Sequence, residues 1–276
     1  MDKLNFLTAG MPLKTEPKSY ENAFKILKSY GLDGIELEFV RGVRMSEASQ
    51  NTVREATANK DFVITAHGPF YVNLNSKEVE KIDASVERIL ETARMAHSVG
   101  AYSITYHAAF YMGHTPDVVF EQVKKQTQRI IDVVEKEGLD IWIRPETTGK
   151  GTQWGDLDEI INLSKEFKQV LPCVDFSHLH ARCGGGLNSY DDFSMMLEKI
   201  GNELGQNALD NCHMHLAGIE YSQKGEKKHL IFEESDMNYK DLLKALKAFN
   251  VKGALVCESP NIEDDCKLLK DYYLSI

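Results

Sequence analysis

Phe62-Val-Ile-Thr-Ala-His67 is a short run of strand-forming residues that ends on a metal-binding side chain. A largely β-branched and apolar stretch of this length reads as a buried strand. The pattern recurs in Ser103-Ile-Thr-Tyr-His107, Ile141-Trp-Ile-Arg-Pro-Glu146, Leu171-Pro-Cys-Val-Asp175, Asn211-Cys-His-Met-His215 and Ala254-Leu-Val-Cys-Glu258. One kind of strand end, repeated around a sheet, brings its side chains to one face at one height. Three His, two Glu and one Asp gathered there exceed what a single ion needs. The pattern predicts a multinuclear metal centre and the hydrolytic chemistry such centres support.

Outward from these segments the chain alternates strand and helix. Eight strands are expected, at Leu4–Ala9, Gly34–Phe39, Phe62–His67, Ser103–His107, Ile141–Glu146, Val170–Asp175, Asn211–His215 and Gly253–Glu258. Between them apolar residues recur at helical spacing, as in Ala23-Phe24-Ile26-Leu27, Val86-Ile89-Leu90-Ala93-Ala96, Val118-Phe120-Val123-Ile130-Ile131-Val134 and Leu242-Leu243-Leu246-Phe249. Gly31, Gly100 and Gly138 sit where helices should stop. Eight units with right-handed crossovers predict an α/β fold, a (β/α)8 TIM barrel occupying residues 1–276 as one domain. Its metal site lies at the C-terminal ends of the strands. The long irregular stretches Gly149–Asp156, Leu179–Ser189 and Gly218–Glu234 follow strands and should rim the mouth.

Composition narrows the setting. The 276 residues are 42% hydrophobic, enough for a large core. No apolar run approaches the ~20 residues of a membrane helix, and Met1-Asp-Lys-Leu-Asn leads directly into a strand without a secretory pattern. The five cysteines include no Cys-x-x-Cys pair, which suits a reducing cytoplasm; Cys173 and Cys257 read as small buried fillers. The formal net charge of −10 argues against a nucleic-acid binder relying on bulk positive charge. Bound cations would supply local positive charge of their own.

Among the candidates, His67 precedes a Gly-Pro turn that exposes its ring, and His107 follows the same logic. Glu146 lies mid-series, where a carboxylate bridging two ions is useful; the structural alternative is an ion pair with Arg144. In Asp175-Phe-Ser-His178 the Asp ends a strand and the His follows within a turn, whereas His180 turns away if the segment is helical. His215 is nearer the mouth than His213, which either orients a ligand or is a satisfied interior residue. Glu258 ends the last strand, and His229 stands in the charged loop Lys224-Gly-Glu-Lys-Lys-His.

These residues closely resemble endonuclease IV, the zinc-dependent abasic-site endonucleases. The resemblance is carried by His67-Gly-Pro-Phe-Tyr-Val-Asn-Leu, Glu146-Thr-Thr-Gly-Lys-Gly, Cys173-Val-Asp-Phe-Ser-His178, His215-Leu and Cys257-Glu-Ser-Pro, in that order along nearly the whole chain. It implies His67, His107 and Glu146 on one Zn²⁺; Glu146, Asp175, His215 and Glu258 on a second; and His178 and His229 on a third. It also implies a double-stranded DNA partner bearing abasic sites, read by Phe70 and Tyr71 with Arg41 or Arg44 from the preceding loop, and a monomeric enzyme. The family's third site carries an Asp two residues before the counterpart of His229, and here that position is Lys227. An ammonium repels a dication and offers no lone pair. The third ion is therefore left open: absent, weak, completed by Glu226 or water, or replaced by the lysine charge.

The implied activity is hydrolysis of the phosphodiester 5′ to an abasic site, leaving a 3′-hydroxyl. Glu146 and Glu258 are the catalytic candidates, the first holding the ion pair and the second helping to orient the attacking water. Two other readings use the same residues. Glu146, Asp175, His215 and Glu258 alone suit a single-metal sugar isomerase or epimerase, and a defective third site suits a DNA-lesion binder with little catalysis.

Overall fold

The structure is a computed structural model describing residues 1–276. Eight parallel strands form the barrel: β1 (Leu4–Ala9), β2 (Gly34–Glu38), β3 (Val63–His67), β4 (Ser103–Tyr106), β5 (Trp142–Pro145), β6 (Cys173–Asp175), β7 (Cys212–Leu216) and β8 (Gly253–Cys257). Their order in the sheet is β5-β4-β3-β2-β1-β8-β7-β6. Single bridges Ile143↔Val170 and Glu146↔Cys173 bring the β5 and β6 edges together and nearly close it. The sixth strand is shorter than expected from Val170–Asp175. Pro172 has no N–H to give the ladder, so regular pairing begins only at Cys173.

Each strand is followed by a principal helix: α1 (Tyr20–Tyr30), α2 (Glu47–Ala58), α3 (Val79–Ser98), α4 (Pro116–Glu137), α5 (Leu157–Glu166), α6 (Tyr190–Leu204), α7 (Tyr239–Ala248) and α8 (Glu263–Ser275). Local chemistry sets several ends. Ser19 caps α1, Asp156 and Glu159 form a capping box on α5, and left-handed Gly31 and Gly138 stop α1 and α4. On α4 the apolar phase differs by one residue from the expected one. Val119 is buried and Val118 is 53% exposed, because the buried Val123, Ile130 and Val134 select the face that contains Val119.

The apolar core lies between sheet and helices, where 61 buried residues from Leu4 to Leu269 form one cluster. The barrel interior is different. Asn5, Glu36, Thr65, Ser103, Arg144 and His213 are all buried, and each is hydrogen-bonded within the chain. Arg144 donates to the carbonyls of Pro172 and Asn211, so it is not the ion-pair partner of Glu146.

The three stretches expected to be irregular hold more structure than their composition suggests. Gly218–Ser222 and Gly225–Leu230 form an antiparallel hairpin. Gln153–Trp154 pairs with Ala109–Phe110, and Leu179 belongs to the short helix Phe176–Arg182. Polar, lysine-rich strands show little apolar alternation, which hides such hairpins from a periodicity reading. No helix is long and apolar enough to cross a membrane.

Candidate metal centre

Parallel pairing puts the ends of β3, β4, β5, β6, β7 and β8 on one rim, and Glu146, just past β5, is its hub. Its Oε2 lies 3.1 Å from His67 Nε2, and its Oε1 lies 3.3 Å from His107 Nε2, 3.2 Å from His178 Nδ1 and 3.4 Å from His215 Nδ1. His215 Nδ1 is also 3.4 Å from Glu258 Oε1. Asp175 caps the short helix after β6 by accepting the His178 backbone N–H at 2.8 Å. That turn lifts the His178 ring beside the strand ends.

Three overlapping groups result: His67–His107–Glu146, Glu146–Asp175–His215–Glu258, and Asp175–His178–His229, with donor atoms in each within 4.8 Å of one another. All eight candidate ligands thus converge. The rim fits cations on chemical grounds. Glu146 Oε1, Asp175 Oδ2 and both ring nitrogens of His215 are buried without a hydrogen-bond partner. Each such orphan costs about 1–3 kcal/mol if left unpaired, and four gathered at one place call for a shared positive partner.

The imidazoles are oriented for the same purpose. His67 Nδ1 lies 2.8 Å from Gly68 O, His178 Nδ1 3.0 Å from Thr147 O, and His229 Nδ1 3.2 Å from Glu258 O. A carbonyl only accepts, so each Nδ1 carries a hydrogen, and a ring in its neutral form has Nε2 left to offer a lone pair. His215 is reversed. Its Nε2 sits 2.9 Å from Glu36 Oε1, off the N–H direction, while Nδ1 faces Glu146 and Glu258.

Without cations, protons take their place. Burial disfavours a charged His67, yet Glu146 raises it to about 10; His178 reaches about 10 against the same burial, through Asp175 and Glu146. Burial would raise Glu146, but His107 and His215 hold it well below the usual carboxylate range. Burial pushes the Cys173 thiol up to about 12, so it stays a neutral filler beside His215.

The second strand carries two acids that sequence reasoning passed over. Glu36 accepts from Thr65 Oγ1 at 2.6 Å and from His213 Nε2 at 2.7 Å, and Ser103 Oγ binds His213 Nδ1 at 3.0 Å. His213 is therefore a satisfied interior residue that also steadies Glu36 beneath His215. Glu38 ends the strand with Oε1 buried and unpartnered, its pKa pushed up to about 8 by burial and by Glu36. The signal was present in Gly34-Ile-Glu-Leu-Glu: two acids two apart in an apolar strand face the barrel interior together.

Other expectations sort clearly. His180 is buried away from the rim, against Gly186 O and Asp236. Phe70 and Tyr71 follow His67 in the β3 loop, 57% and 63% exposed and stacked edge-on at 5.3 Å. Arg41 and Arg44 are exposed after β2. Lys227, at the position left open for the third ion, does not enter the metal centre. Its Nζ lies 2.9 Å from Glu220 Oε1 on the outside of the hairpin. Glu226 stands on the centre's side instead, with Oε2 3.6 Å from His178 Nε2.

Residues 24–272 match the family model described as "Xylose isomerase-like TIM barrel". The chain belongs to that family. Among relatives of this xylose isomerase-like barrel, an uncharacterized protein of Methanocaldococcus jannaschii is 42% identical over 98% of this chain and 97% of its own. A probable endonuclease 4 of Mycoplasma pneumoniae is 22% identical over 72% of this chain and 68% of its own. Two solved structures share the fold. Endonuclease IV from Thermus thermophilus has a TM-score of 0.72 at 16% identity, covering 99% of this chain and 100% of that one. A D-tagatose 3-epimerase-like protein has a TM-score of 0.74 at 18% identity, covering 97% of both. The fold is thus shared, at similar structural distance, with a solved endonuclease and a solved epimerase-like protein.

Proposed function

We propose that this barrel is a metal-dependent phosphodiesterase of the endonuclease IV kind, acting on duplex DNA 5′ to abasic sites and leaving a 3′-hydroxyl. The observation that carries the reading is the surplus of ligands. The group Glu146–Asp175–His215–Glu258 suffices for one ion, yet His67, His107, His178 and His229 converge on the same centre with oriented rings.

His67, His107 and Glu146 would hold one Zn²⁺, and Glu146, Asp175, His215 and Glu258 a second, with Glu146 common to both. Bound there, zinc supplies charge to neutralise a phosphodiester and acidifies water near it. The remaining work is done by the chain. Glu146 keeps the two groups at one spacing, as both its oxygens are engaged by different histidines. Glu258, 13% exposed at the side chain, is the rim carboxylate placed to orient water arriving from the mouth. Phe70 and Tyr71 are free to enter the duplex where a base is missing, filling the stack while the sugar swings toward the rim. Arg41 and Arg44 lie on the next loop for backbone phosphates. Residues 1–276 would act as one domain and one monomer, and five unpaired cysteines suit a reducing cytoplasm.

A second reading, sugar epimerisation around one ion, is favoured by the same four-residue group and by the acidic chain. One experiment separates them. A duplex with a synthetic abasic site is incubated with protein of known metal content, with and without EDTA. EDTA-sensitive nicking with at least two zinc ions per chain supports the nuclease. A single ion and no nicking refutes it in favour of the sugar enzyme; binding without nicking leaves a lesion binder.

A further inference from the structure

We propose that Glu226 completes an outer cation site with His178 and His229, and that a β-bulge at Lys227 places it there. The inference rests on the multinuclear reading of the centre and goes further, assigning a ligand and the device that presents it.

The hairpin register shows the device. Ile219 opposes His229 and Glu220 opposes Lys228, but Tyr221 opposes Glu226, so Lys227 has no partner. In an unbroken strand, residues two apart share a face, and Lys227 would point with His229 into the centre. One extra residue inverts the phase beyond it. Glu226 therefore shares the face of His229, and both lysines turn outward. The contacts agree: Lys227 and Lys228 reach the same Glu220 carboxylate, at 2.9 and 3.5 Å.

The backbone beneath Glu226 is built for close approach. Its N–H donates to Gly149 O at 2.9 Å. A Cβ at Gly149 would fall 2.7 Å from Glu226 Cβ and 2.8 Å from its Oε2, and one at Gly225, where φ is +92°, would fall 2.2 Å from Gly149 O. Two glycines let the hairpin lie directly on the β5 loop, which brings the carboxylate over His178. Exposed Lys150 approaches Glu226 only to 4.0 Å, leaving the carboxylate free for another partner.

The other donors point to the same spot. His178 and His229 direct Nδ1 at carbonyls and keep Nε2 for a ligand. Asp175, fully buried, stands at the other edge of the His178 ring, with Oδ2 3.1 Å from Nδ1. Two imidazole nitrogens and one carboxylate are a donor set suited to tetrahedral zinc with its fourth position open.

Equilibrium dialysis of the full chain against zinc, with ions counted by elemental analysis, tests the assignment. The unaltered protein should take up three ions. Glu226→Gln should keep two and bind the outer one at least about 100-fold more weakly. Glu226→Asp should recover part of the loss, and Lys227→Ala should match the unaltered protein; thermal unfolding checks that each variant is folded. Outer-ion affinity in Glu226→Gln within threefold of the unaltered protein overturns the proposal. So does tighter outer-ion binding in Lys227→Ala, or an unaltered protein that stops at two ions; those outcomes leave the inner centre standing. An unaltered protein binding one ion or none overturns the multinuclear reading as well.

Discussion

His213 and His215 stand two residues apart on one strand, face the same barrel interior and are equally buried, yet their environments are opposite. His213 has both ring nitrogens hydrogen-bonded, to Ser103 and Glu36, and burial lowers its pKa to about 4. His215 has neither nitrogen satisfied and lies among Glu36, Glu146 and Glu258. The deeper layer is a hydrogen-bonded polar network in which Glu36 Oε1 and Arg144 Nε stay unpartnered. The rim one step above has the same kinds of side chain but leaves their lone pairs open. What separates the two histidines is hydrogen-bond saturation, and at His215 the unpartnered nitrogens lie among carboxylates that could share a cation with them.

The strongest challenge to this contrast is Glu146→Gln. Removing the hub charge should lower abasic-site incision on the order of 100- to 1,000-fold and reduce zinc stoichiometry, measured on one preparation. Near-normal incision would show that the rim is not the reactive centre. Next in size, His215→Ala should strip the ion held by Glu146, Asp175 and Glu258, whereas His213→Ala should leave the ion count intact. The His213 change should instead destabilise the fold by about 1–3 kcal/mol, as Glu36 and Ser103 lose a buried partner. Urea unfolding paired with metal analysis reads both, and equal loss of metal in the two variants would erase the distinction between layers.

Protonation sharpens it further. In the metal-free protein His67 and His178 hold protons with pKa values near 10, and against its burial the carboxylates around His215 raise it too, so zinc uptake near pH 7.5 should release at least two protons. Calorimetry in buffers of different ionisation enthalpy counts them; release of fewer than one would contradict the proton-for-cation exchange. Both values are raised above the unfolded value near 6.5, so this stabilisation is fully present below about pH 6.5. It is lost as pH rises through about 10, and metal-free protein should unfold more easily across that window than zinc-loaded protein. The smallest effect belongs to the periphery. Phe70→Ala with Tyr71→Ala should weaken duplex binding by roughly tenfold, about 1–3 kcal/mol at most for lost stacking, with no change in zinc content. Unchanged binding would remove the pair from the DNA interface.

Much of this was legible because strand ends repeat. Eight alternating units and six terminal ligands are local signals, readable from residue type and spacing, and the barrel puts those ligands on one rim. The failures share a different cause. Glu36 and Glu38 fall inside the expected strand Gly34–Phe39 with no motif to single them out, although both lie on the inner face. The hairpin carrying His229 was taken for loop, because its lysines interrupt apolar alternation. Val118 was placed in the helix face that Val119 occupies, a one-residue phase error that only packing corrects.

Lys227 shows where the boundary falls. The chain by itself determined the ligand inventory and its placement at strand ends, because a strand's inward and outward positions follow from its own period. Tertiary structure decided which ring nitrogen each histidine offers, since that depends on carbonyls such as Thr147 O and Glu258 O contributed by other elements. It also decided that Glu226 faces the centre while Lys227 faces water. A single unpaired residue reverses the alternation, and next to it the hairpin's Gly225 and the β5 loop's Gly149 come into a contact that a local reading of either segment does not reveal.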